Sequence, residues 1–151
     1  MALLIGASVS LLGLALRAWA AGHIRKNAQL ATSGPYAFTR NPLYLGSFLL
    51  GLGFTIASGR LLLAVLFAGL FLGIYLPVMR VEASTMAQLF GEDFERYRQS
   101  VPLFFPRLTP FRQGAGANKF DGTLYLRYRE YRAALGLVAA WGLLLIKTYY
   151  F

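Results

Sequence analysis

Long apolar runs separated by short, basic polar stretches organise this chain. Positions 1–16 (MALLIGASVSLLGLAL) carry no charge, and the run continues past Arg17 to Ala21. A helix rising about 1.5 Å per residue over that length nearly crosses a hydrocarbon core of about 30 Å, with Arg17 snorkelling to the interface. The small residues at 18–21 also suit a signal-peptide cleavage site, but no basic segment precedes the run, so a span is expected. From Leu43 to Met79 only Arg60 is charged. That is too long for one span, and Ser58-Gly59-Arg60 is the natural break of a hairpin with spans at 43–58 and 61–79. A last apolar run, 133–150, holds only Lys147 and ends on Tyr149-Tyr150-Phe151, an interfacial aromatic anchor. The pattern predicts an all-α, polytopic transmembrane helical bundle of about four spans (1–21, 43–58, 61–79, 133–150) forming a single domain over residues 1–151.

Composition agrees with that solvent. Hydrophobic residues make up 57% of the chain, and mean hydropathy is +0.52. The net charge of +9 would suit nucleic acid if the basic residues striped a polar domain, but they cluster between the apolar runs, so no nucleic-acid partner is expected. Segments 22–42 and 80–132 hold three and nine of the fifteen basic residues. By the positive-inside tendency these segments are cytoplasmic, both termini face out, and polar chemistry belongs at the cytoplasmic face of an integral, multi-pass protein. The absence of cysteine excludes disulfides and thiolate chemistry, and a single histidine, His23, argues against a multi-histidine metal site.

Two polar segments can carry chemistry. The first is TSGPYAFTRNPLYLGS, residues 32–47. Gly34-Pro35 and Asn41-Pro42 both interrupt helix propagation, so the chain turns at the membrane surface between them. Pro42 is placed to open the second span with Asn41 as its cap, while Tyr36 and Tyr44 add aromatic surfaces and hydroxyls. A plain helix entry with interfacial tyrosines accounts for the same spacing. The second segment is RVEASTMAQLFGEDFERYRQSVPLFFP, residues 80–106. Glu82 follows a long uncharged span, where a carboxylate needs a partner, and Arg80 is the obvious one. Phe90, Phe94 and Tyr97, with Met86 and Leu89, give an amphipathic helix suited to lie over the bundle; a helix that simply continues out of the membrane reads equally well. QGAGAN at 113–118 reads as a linker and not a dinucleotide fingerprint, and Gly69 and Gly73 have the spacing of close helix approach. Gly46, Gly51 and Gly53 suit either tight packing or a lateral path for a lipophilic ligand.

Together the two segments resemble a known family. GPYAFTRNPLYLGSFLLGLGF is similar to the G-[PV]-Y-x-x-x-R-[HN]-P-x-Y-x-G signature of isoprenylcysteine carboxyl methyltransferases. Residues 80–106 are similar to the acidic element that follows it there and, more loosely, in phospholipid methyltransferases. The resemblance covers about residues 17–110 and implies an integral-membrane methyltransferase using S-adenosylmethionine, with S-adenosylhomocysteine as product. It also implies a lipophilic small molecule or lipid as the methyl acceptor, modified at a carboxylate or other polar head. By position it implies a cofactor pocket of Gln29, Leu30, Ala31, Tyr36, Asn41, Pro42, Leu43, Tyr44 and Glu82, with Arg80 orienting the substrate head group. Asn41 stands where many members have histidine, and Ala83 where they often have a second glutamate. The competing readings are an NADPH-dependent membrane reductase of related architecture and a non-enzymatic membrane protein that kept the fold.

Overall fold

The computed structural model describes residues 1–25, 28–112 and 119–150. The linker assigned to 113–118 and the terminal Phe151 lie outside these residues. All regular structure among them is helical, as expected. Helix α1 is Ala2–Ala21, α2 Pro42–Ala57, α3 Leu61–Ser100, α4 Gly122–Arg127 and α5 Tyr131–Tyr150, with a 3-10 turn at Gly34–Ala37.

Three of these helices, α1, α3 and α5, are long and apolar enough to cross a membrane. The run expected as a second span is the shorter apolar helix α2, whose 16 residues cover about 24 Å. Pro42 fixes its first turn, and Gly59, at φ +66, turns the chain immediately after it. Helix α3 departs further from the sequence pattern. It passes the expected boundary at 79 without a break, kinks at Gly91 (φ 52, ψ −125) and resumes as helix to Ser100. The amphipathic segment is thus the outer half of α3. Leu61, Leu62, Val65, Leu66, Leu70 and Ile74 stay exposed along its inner half, as a helix surrounded by hydrocarbon requires.

Helices α1 and α2 form the tightest contact, antiparallel and through glycine. A Cβ on Gly13 would lie 2.6 Å from the Gly46 carbonyl oxygen and 2.7 Å from the Leu50 nitrogen. Gly6 and Gly53 meet in the same way two helical turns along, and the Ser10 hydroxyl between them donates to the Leu50 carbonyl at 3.1 Å. Backbones this close gain dispersion over their whole length, the usual source of helix association in lipid. Gly46 and Gly53 are therefore packing residues, and Gly51 makes room for the Phe67 ring. The close approach expected at Gly69 and Gly73 does not form: a Cβ there meets nothing within 4 Å, because both face outward. Helix α3 instead packs on α2 through rings, Phe48 on Phe67 and Phe71 at 5.7 and 5.3 Å, and α5 stacks Trp141 on Phe54 at 5.1 Å.

The Pro-rich tail after α3 folds back as a strap along residues 36–41. Arg40 N–H donates to the Pro102 carbonyl, Arg107 N–H to Phe38 and Phe111 N–H to Ala37, each at 2.9 Å. The Thr39 hydroxyl donates to the Phe104 carbonyl at 2.8 Å, and Tyr97 Oη to the Tyr36 carbonyl at 2.7 Å. Asn41 is the N-cap residue of α2, as the sequence suggested, but its side chain makes no capping bond; its Nδ2 donates to the Leu103 carbonyl at 2.8 Å.

Gly13→Val is expected to destabilise the detergent-solubilised protein by about 1–3 kcal/mol or prevent folding. Gly69→Ala is expected to leave the thermal unfolding midpoint essentially unchanged. Thr39→Val, which strands the buried Phe104 carbonyl, should lower stability by about 1–3 kcal/mol in the same assay.

Candidate active site

The end of α1, the turn at 34–41 with the chain just before it, the start of α2, the middle of α3 and the junction between α4 and α5 enclose a cavity of about 620 Å³. Each wall has a local cause. Gly34 takes φ +59 with the His23 ring directly beneath it, and Pro35 starts the single 3-10 turn that buries Tyr36. His23 accordingly belongs to the packing; its Nδ1 lies 2.9 Å from the Trp19 carbonyl oxygen. Tyr44, on the first turn of α2, donates from its hydroxyl to Glu82 Oε1 at 3.0 Å, and its ring lies 5.3 Å from that of Tyr75. Glu82 thus finds a partner across the helix pair and not on its own helix. Arg80, two residues away, projects to the opposite side of α3, is exposed and does not line the cavity.

Of the nine positions expected to hold a cofactor, Gln29, Leu30, Ala31, Tyr36, Asn41, Leu43, Tyr44 and Glu82 line this one cavity. Pro42 is fully buried at the helix start beside it. The sequence reading missed four charged groups on the same walls: Arg17, Arg25, Arg40 and Glu130. Arg40 Nε is buried with no hydrogen-bond partner among the described residues, and burial lowers the guanidinium's pKa from its ordinary value. Burial raises the hydroxyl pKa of Tyr36 well above the tyrosine range, with smaller contributions from Tyr97, Glu130 and Tyr128. Burial does the same for Tyr97, so both phenols stay neutral and able to donate.

Arg17 does not snorkel freely. Its Nε donates to Glu130 Oε2 at 3.0 Å and its Nη2 to both carboxylate oxygens at 2.9 and 2.8 Å, while Nη1 reaches Ser47 Oγ at 2.5 Å. The two side chains are 22% and 11% exposed, so the pair is largely desolvated. Glu130 is delivered by the α4–α5 junction, where Arg129 adopts φ 56, a left-handed conformation unfavourable for a residue with a Cβ. A signal for this pair existed in the sequence: one charge near the end of the first apolar run and an opposite one just before the last.

Fold and cavity define a polytopic helical membrane protein with a polar pocket built on the two motif segments. The phospholipid methyltransferase family pattern matches residues 2–93, and the chain belongs to that family. The chain is 36% identical over 111 residues to the nickel-cobalt-cadmium resistance protein NccN of Alcaligenes xylosoxydans xylosoxydans, covering 70% of this chain and 52% of that one. It is 38% identical over 111 residues to the cobalt-zinc-cadmium resistance protein CzcN of Cupriavidus metallidurans, covering 72% and 50%. It is also 31% identical over 81 residues to the protein-S-isoprenylcysteine O-methyltransferase of Schizosaccharomyces pombe, covering 54% and 34%. The chain spans about half the length of the first two relatives and a third of the last. No solved structure matches it.

Arg17→Met is expected to destabilise the fold by about 3–5 kcal/mol, because it leaves a desolvated carboxylate unpaired. The double substitution Arg17→Met with Glu130→Leu should recover most of that loss in thermal unfolding.

Proposed function

We propose that the chain is a membrane methyltransferase that takes its methyl group from S-adenosylmethionine at the cytoplasmic face and transfers it to the polar head of a lipophilic substrate. One observation carries the reading: eight of the nine residues expected from the family motifs, from separate stretches of the chain, share the wall of one cavity. The donor set fits a sulfonium amino acid. Glu82 can take its ammonium group, and Arg40, whose Nε lacks a partner, can take its carboxylate together with Arg25 on the same wall. The neighbouring rings of Tyr44 and Tyr75 suit a sulfonium, an attraction of about 0.5–2 kcal/mol.

Bound there, S-adenosylmethionine supplies a methyl group activated for in-line displacement. The chain's own part is alignment and exclusion of water. Tyr44 holds the Glu82 carboxylate in place, burial keeps the Tyr36 hydroxyl neutral, and the strap fixes the turn that carries Tyr36 and Arg40. Ala83 leaves α3 with one carboxylate at this level where relatives of the isoprenylcysteine type often have two. Two relatives are named for resistance to metals, but no group of three metal-ligating His, Cys, Asp or Glu side chains occurs among the described residues, and the chain has no cysteine. The donors present favour the methyl-donor reading.

Calorimetric titration of the detergent-purified chain with S-adenosylhomocysteine should show saturable binding, and NADPH should show none. Glu82→Ala, Tyr44→Ala and Arg40→Ala are each expected to weaken that binding about tenfold or more, equivalent to about 1.4 kcal/mol. Folded protein that does not bind S-adenosylhomocysteine would sink the proposal.

A further inference from the structure

We propose, resting on the methyltransferase reading above, that Glu130 is a specificity-determining residue for the methyl acceptor. Held by Arg17, it makes the membrane-side end of the cavity admit neutral or cationic head groups that donate hydrogen bonds and turn away anionic ones.

Hydrogen-bond accounting at that end leads to this assignment. Ser47 lies one turn deeper along α2 than Tyr44, and Tyr75 two turns deeper along α3 than Glu82, so the wall they share with Arg17 and Glu130 is the side facing the hydrocarbon. A guanidinium has five N–H donors. In Arg17, Nε and Nη2 are committed to Glu130, and Nη1 to Ser47 Oγ and, at 3.5 Å, to the Leu43 carbonyl. The Ser47 hydroxyl hydrogen is itself given to Leu43 O at 3.0 Å. The cluster therefore has no donor to offer a ligand. Its open valence is on the Glu130 carboxylate, whose two oxygens have about four lone-pair sites.

Charge points the same way. The carboxylates of Glu82 and Glu130 face this end against Arg17 alone, and the other cations on the cavity wall, Arg25 and Arg40, lie between the end of α1 and the start of α2. An acceptor carboxylate would meet two negative charges, with the Arg17 and Ser47 donors already committed. An amine or alcohol would find an acceptor oxygen already fixed in orientation.

Backbone conformation also marks the position. Arg129 is held in the left-handed region, and residues kept there at a cost cluster at functional sites. Glu130 lies beyond the family-matched residues 2–93, on the same cavity whose α3 wall carries Ala83. Arg17 acts through Glu130 and is a positioning residue.

The test compares three probes with one C12 tail, dodecylamine, 1-dodecanol and laurate, titrated into the detergent-purified full chain with matched micelle blanks. The wild-type protein should bind the amine and the alcohol about tenfold more tightly than laurate. In Glu130→Gln the Arg17 charge is no longer neutralised, so laurate affinity should rise about fivefold and the preference collapse. A merely structural role for Glu130 would not produce a gain for one head group. Arg17→Gln with Glu130→Gln removes both charges and serves if the single variant does not fold; it should lose the preference without gaining laurate. Equal binding of laurate and amine by the wild type overturns the proposal, as does an unchanged preference in whichever variant folds. Titration of the same wild-type sample with S-adenosylhomocysteine separates the two readings. Cofactor binding without head-group preference removes this inference alone, and preference without cofactor binding removes the methyltransferase reading and leaves Glu130 as a head-group selector with no methyl acceptor to assign.

Discussion

Non-helical backbone at the edge of a bilayer must find hydrogen-bond partners within the protein, and residues 34–41 are such a segment. Two prolines and a left-handed glycine keep this stretch from joining either α1 or α2. The strap after α3 supplies what a helix would have supplied, taking the Arg40 N–H and giving N–H groups to Ala37 and Phe38. The side chains of Thr39 and Asn41 complete the join. Because the strap hangs from the outer half of α3, one set of bonds fixes both the turn carrying Tyr36 and the helix carrying Glu82. The cavity is the space left between them.

That cavity has two polarities, and they arise from different parts of the chain. Its surface side carries the Arg40 guanidinium, set by the first motif, whose Nε has no hydrogen-bond partner among the described residues. Its membrane side carries an ion pair between α1 and the α4–α5 junction, with every Arg17 donor committed. A buried bidentate pair costs desolvation and is retained where its geometry fixes something else. Here it joins the C-terminal helix pair to the family-matched core and leaves a carboxylate facing the cavity.

Much of this was legible along the chain. Charge-free runs located α1, the inner half of α3 and α5, since nothing else accommodates so much apolar sequence. The motif residues were legible too: Tyr36, Tyr44 and Glu82 reach one cavity as the paired segments suggested. Other features were not. The sequence pattern gave Arg80 to Glu82 as partner, but residues two apart on a helix face opposite ways, and Tyr44 on α2 takes that place. Glycine spacing pointed to Gly69 and Gly73, yet spacing does not say which face meets a neighbour; Gly6, Gly13, Gly46 and Gly53 carry the contact.

The sequence by itself determined a helical membrane protein and the identity of the groups at its polar end, because hydrophobic runs and helix-breaking prolines act locally. Tertiary structure alone decided that α2 is a short helix wedged against α1, that the Asn41 side chain serves the strap instead of the helix it opens, and that Glu130 reaches a cavity whose other walls end at Tyr97, more than thirty residues earlier. The reason is physical. Local propensity specifies where a helix starts and stops, but partners for charged and hydrogen-bonding side chains are chosen by which faces meet, and distant residues settle that in concert.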